Sequence, residues 1–124
     1  MLDFPAIFSH ENVFAIRSFF WWGNFCSITL HLKGIYKTLY VPKILAATES
    51  KNWMISMSGH EWMHSLEKNH YRYLAQCEMD DPHFISNLEK PFFKLARKMD
   101  LNDWRKMPQF FKENFECILK MLSA

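Results

Sequence analysis

The stretch "FCSITLHL", residues 25–32, alternates apolar and polar side chains without a break. Cys26, Ile28, Leu30 and Leu32 fall on one side and Ser27, Thr29 and His31 on the other, the period of two that marks a strand. Before it, "VFAIRSFFWW" is aromatic and β-branched, and Gly23-Asn24 supplies a two-residue hairpin turn. After it, Lys33-Gly34 leads into "IYKTLYV", again rich in strand formers. The pattern predicts a three-stranded meander with turns at Gly23-Asn24 and Lys33-Gly34. Pro42 is expected to end the third strand, because proline has no N–H to give a ladder. A short helix over Lys43–Ala47 and a short strand over Trp53–Met57 follow.

The second half reads as helices. The first runs from Gly59 to Cys77. Asp81-Pro82 is the start signal of the next, with Asp as N-cap and Pro in the first turn. Ile85, Leu88, Phe92, Leu95 and Met99 continue it as one apolar stripe, with a kink or break expected at Pro91. The last helix starts near Pro108 and buries Phe111, Phe115, Ile118 and Leu122. The expected fold is a single α+β domain over residues 1–124, an N-terminal antiparallel three- to four-stranded β-meander packed against three to four C-terminal helices.

Charge and composition narrow the function classes. The net charge is +2, and the sequence pI of 8.4 stays below the pI of about 9 typical of nucleic-acid-binding domains. Cys26, Cys77 and Cys117 are odd in number and widely spaced, which points to reduced thiols in an intracellular, cytoplasmic protein rather than a disulfide frame. The opening "MLDFPAIFSHEN" lacks the basic region of a secretory leader. Val13 to Leu32 is interrupted by Ser18, Asn24, Ser27, Thr29 and His31, so no membrane span is expected.

The stretch "GHEWMH", residues 59–64, contains H-E-x-x-H. On a helix this spacing lets His60 and His64 present imidazoles to one tetrahedral zinc, with Glu61 beside them as general base. The motif resembles the HExxH zinc metallopeptidases, the zincins, and the similarity extends to uncharged Trp62, Met63 and Ser65 and apolar Leu66. The resemblance implies zinc as cofactor, His60 and His64 as ligands, Glu61 as base, and an antiparallel sheet ahead of the helix. It leaves the third ligand unassigned. Glu67 stands where the metzincin branch has its hinge glycine, so a continuing helix carries His70 away from the site; Glu78, Asp80, Asp81 and Glu89 are the carboxylates downstream. The other reading is a solvated face, since His60, Glu61 and His64 share a helical side with Lys68 and Arg72.

Two further features bear on function. Lys90, Lys94, Arg97 and Lys98 would fall on one helix face, a basic stripe suited to phosphate, nucleic acid or an acidic partner, with a solvated face as the plainer reading. The run "SFFWWGNFC" holds more aromatic surface than one strand side can bury. Either both faces of the strand are covered, the more frequent case, or Phe20, Trp21 and Trp22 form an interaction surface. No dinucleotide-binding glycine fingerprint, P-loop or nucleophile elbow occurs. The leading expectation is a small binding protein acting through a protein partner or a homo-oligomer. A compact zinc-dependent hydrolase is the alternative, and nucleic-acid or acidic-partner binding the third reading.

Overall fold

The computed structural model describes residues 2–9, 11–21, 25–57, 71–78, 80–100 and 104–123. The fold class is the expected α+β. Six strands form one antiparallel sheet: β1 (Leu2–Phe8), β2 (Val13–Trp21), β3 (Phe25–Lys33), β4 (Met54–Ser56), β5 (Tyr71–Tyr73) and β6 (Phe92–Asp100). Three α-helices accompany it among the described residues, α1 (Ile35–Ala46), α2 (Pro82–Glu89) and α3 (Met107–Ser123). The strand order is β1-β2-β3-β6-β4-β5.

The two strands of the expected hairpin pair as read, while its turn at Gly23-Asn24 lies outside the described residues. β2 and β3 pair from Val13↔Lys33 to Trp21↔Phe25, around residues 22–24. Cys26, Ile28, Leu30 and Leu32 enter a core with Ile44 of α1, Ile118 and Leu122 of α3, and Phe93 and Leu95 of β6. The α2 start is also as read: Asp81 accepts a hydrogen bond from the His83 N–H at 3.0 Å, and Pro82 takes the first turn.

Three expectations are corrected. "IYKTLYV" is helix, not the third strand of a meander. Gly34, at φ 67° and ψ −129°, turns the chain off the sheet. The Asn12 carboxamide oxygen accepts the Ile35 N–H at 2.9 Å, meeting one of the N–H groups a helix start leaves open. Val41 and Ile44 are then buried, so tertiary context overrides strand preference and Pro42 lies inside the helix.

The second correction falls at Pro91. The helix begun at Pro82 stops at Glu89, and Phe92–Asp100 is a strand inserted between β3 and β4. Its helix-favouring residues (Lys94, Leu95, Ala96, Arg97, Lys98) also alternate, sending Phe93 and Leu95 into the core under α1 and α3. Pairing with β3 along its whole length, Lys33↔Phe92 to Phe25↔Asp100, outweighs local propensity.

The third concerns the expected Gly59–Cys77 helix. Residues 59–70 lie outside the described residues. Tyr71–Tyr73 is a strand on β4 and Leu74–Gln76 a 3-10 turn, so the helix does not reach Cys77.

Two elements were not read from the sequence. β1 forms an edge beside β2, with a register irregularity between Asp3 and Ala6 that brackets Pro5. The far side of the sheet is buried as well: Arg17, Ser27, Thr29, His31 and Lys94 all lie under 9% exposure. Among the described residues, no helix is long and apolar enough to cross a membrane.

Candidate functional site

The expected basic stripe is taken apart by the strand β6. In a strand, neighbours alternate, so Lys94 and Lys98 face one side and Arg97 the other. Lys90 sits before the strand, at the end of α2. Lys94 is buried at 1% exposure on the far face, and Lys98 holds its ammonium 5.9 Å from the Phe25 ring centroid. Arg97 is half-buried on the helix side, where its Nη1 donates to Asn114 Oδ1 at 3.1 Å.

The far face gathers charge around a very small cavity. Arg17, Phe19, Ser27, Thr29, Tyr71 and Lys94 line it, with room of about 10 Å³ for the centre of a water molecule. That is about one water. Arg17 and Lys94 are both partnered, as burial of two cations demands. Burial holds the Tyr71 phenol well above its ordinary range, against the opposing pull of Arg17 and a hydrogen bond with Ser56.

A lysine cluster adjoins this face. Lys90 donates to the Ser56 carbonyl at 2.7 Å and stands 4.5 Å from the Phe92 ring centroid. Burial, then the charges of Lys94 and Lys37, push its ammonium down to about 8. Lys37 donates to the carbonyls of Leu88 and Lys90, and burial lowers it too, with Glu89 opposing.

The metal expectation falls mostly outside the described residues, which include neither His60, Glu61 nor His64. What is described is the pair of chain ends on either side: Ser56 and Tyr71 are register partners, so the segment leaves and re-enters at the β4–β5 edge. Of the downstream carboxylates, Asp81 is the α2 cap, and Glu78, Asp80 and Glu89 are exposed. Among the described residues, no three His, Cys, Asp or Glu converge as a metal-binding group.

The aromatic candidates divide similarly. Phe20 is half-buried against the core. Trp21 closes β2 as the partner of Phe25, but its side chain and all of Trp22 lie outside the described residues. Phe19 meets Phe25 with ring centroids 6.0 Å apart.

Among the described residues, exposed large apolar side chains are scattered over Ile7, Phe8, Tyr73, Ile85 and Leu119, and α1 carries two on one side. Ile35 and Leu39 are 62% and 51% exposed, and Pro42 and Ala46 continue the same line outward. The 4-3-4 spacing places all four on one helical side. A shallow hollow of about 330 Å³, lined by Pro42, Lys43, Ala46 and Ala47, occupies the C-terminal half of that side. The helix cations lean away: Lys37 reaches the α2 end, and Lys43 approaches the Leu122 carbonyl at 3.5 Å. The surface extends sideways through Tyr36 and Tyr40, whose rings meet Phe14 at 5.6 and 5.8 Å, to exposed Ile7, the register partner of Phe14. Sequence reasoning missed this patch because the segment reads as strand. The helical spacing of Ile35, Leu39, Pro42 and Ala46 was the available signal.

The chain matches no protein-family model, no curated protein and no solved structure.

Proposed function

We propose that this chain is a binding protein whose partner is a second copy of itself, docked through the outer face of α1. The observation that carries the reading is the pairing, on one helical side, of a protruding Ile35–Leu39 knob with the hollow at Pro42–Ala47. A two-fold axis across the helix places each knob over the other copy's hollow. That is the self-complementary contact of an isologous dimer. Exposed Ile35, Thr38, Leu39, Pro42 and Ala46 carry no charge, and Lys43, which borders the hollow, reaches toward the Leu122 carbonyl. A helix with apolar residues on both its core and outer sides ordinarily has both covered.

Growth of the sheet by edge pairing is the less suitable route. β1 carries Pro5 and a register irregularity, both devices that blunt an edge. Sedimentation equilibrium over about 1–300 µM tests the proposal. A reversible dimer that Leu39→Asp dissociates, with an unchanged circular dichroism spectrum, is the expected result. A monomer throughout the range, or a dimer indifferent to both Leu39→Asp and Ile35→Asp, overturns it.

A further inference from the structure

Beyond self-association, we infer that the groove between the end of β6 and the middle of α3 binds a small organic monocarboxylate, with Arg97 as its receptor. The groove measures about 280 Å³, near the lower end of small-ligand sites. Arg97 and Asn114 line it with Lys98, Met99, Phe110, Glu113 and Cys117.

Arg97 is set up unusually well for a residue with no ion-pair partner among the described residues. Its Nη1 is fixed on Asn114 Oδ1 at 3.1 Å. Asn114 is 5% exposed and locked in turn, because its Nδ2 donates to the Phe110 carbonyl at 2.7 Å. Asparagine is a poor residue for the interior of a helix, and this one spends both ends of its amide holding Arg97 and its own backbone. The guanidinium carbon also lies 6.0 Å from the centroid of the fully buried Trp53 ring, which fixes the other side of the group. Trp53 precedes Met54, the register partner of Ala96, so the sheet itself brings ring and guanidinium together.

A guanidinium has five N–H donors in a rigid fork that matches a carboxylate. One is spent on Asn114, and among the described residues no other acceptor takes the rest. Met99 and Phe110 offer apolar wall to the body of such a molecule. Glu113, held by Gln109, adds one negative charge to the same groove. With Arg97 and Lys98 in the same lining, that charge leaves a single net positive charge, which suits a monoanion better than phosphate.

Titration with sodium benzoate and, separately, inorganic phosphate at constant ionic strength, followed by ¹⁵N chemical shifts of the Arg97 and Asn114 side chains, tests the inference. Saturable benzoate binding with Kd on the order of 1 mM is expected, with phosphate weaker. Arg97→Gln should weaken benzoate at least about tenfold, and Arg97→Lys, which keeps the charge but loses the fork, by a smaller factor. Arg72→Gln, exposed on β5 and outside the groove, should change it by less than about twofold. Absence of saturation by benzoate, tighter binding of phosphate, or an Arg97→Gln protein that is folded and binds unchanged would each overturn it. Because α1 is not part of the groove, the outcome is independent of the dimer.

Discussion

Asn114 turns its amide so that Oδ1 takes the Arg97 Nη1 hydrogen while Nδ2 gives its own to the Phe110 carbonyl, tying the end of β6 to α3. Asn114→Ala removes both bonds and leaves a half-buried guanidinium without its acceptor. Stability should fall by about 1–3 kcal/mol in urea unfolding. A double-mutant cycle with Arg97→Ala should recover a coupling of at least about 0.5 kcal/mol. Strict additivity would mean that the two side chains contribute separately.

Gly34 has φ 67°, a conformation open to glycine and costly for other residues. A Cβ there would run into the Asn12 side chain and the Glu11 carbonyl. Gly34→Ala should cost about 2–4 kcal/mol. Asn12→Ala, which removes the cap on the Ile35 N–H, should cost about 1 kcal/mol. Combining the two should not rescue the glycine change, because the Glu11 obstacle is backbone. Rescue in thermal melts would show the side chain to be the whole obstacle.

Lys90 gives stability a pH dependence of defined sign. Its folded value of about 8 lies below the ordinary 10.5, so between these limits the unfolded chain binds more protons. Stability therefore rises with pH through that window. The gain is well below the ideal 1.36 kcal/mol per unit, since the group is partly solvated. Above about pH 9 the raised thiols of Cys26 and Cys77, and near pH 10 the raised Tyr71 phenol, act in the opposite direction. Unfolding midpoints should thus climb from pH 7.5 to 9, and Lys90→Met should flatten the climb. An unchanged slope in Lys90→Met would remove Lys90 as its source.

Pro5 lies within the irregular register of the β1 edge, a feature that disfavours pairing with another strand. Pro5→Val restores a backbone N–H and a strand-forming side chain. It should speed aggregation on mild heating, seen as light scattering, while Leu39→Asp leaves that rate unaffected. Equal rates for wild type and Pro5→Val would show that the edge is guarded by something else.

The parts of this fold legible in the sequence are those whose local and tertiary preferences agree. The β2–β3 hairpin alternates cleanly, and α2 opens on Asp81-Pro82 with its cap in place. α3 begins at Met107, near the expected Pro108, though its fully buried side comprises Phe110, Asn114, Ile118, Met121 and Leu122, while Phe111 and Phe115 are only half-buried. The illegible parts are those where the two disagree. Ile35–Ala46 carries β-branched and aromatic residues yet is helical, because Gly34 redirects the chain and a residue 23 positions earlier caps it. Phe92–Asp100 carries helix formers yet is a strand, because β3 offers it a complete partner. Arg97 was visible as a cation in the sequence, but its holder Asn114 lies 17 positions away and is found only in three dimensions.

The place of β6 in the sheet also dictates an order of assembly. β1, β2 and β3 are neighbours in both sequence and space, so a nascent chain can close that meander as soon as residue 33 is made. β4 and β5 reach the sheet only through β6, which is synthesised some 35 residues after β4. Until then the open side of β3 has no partner and the β4–β5 pair no anchor. The docking of one late strand is therefore the long-range closure of this sheet, and loosening that strand in the finished protein would release two others with it.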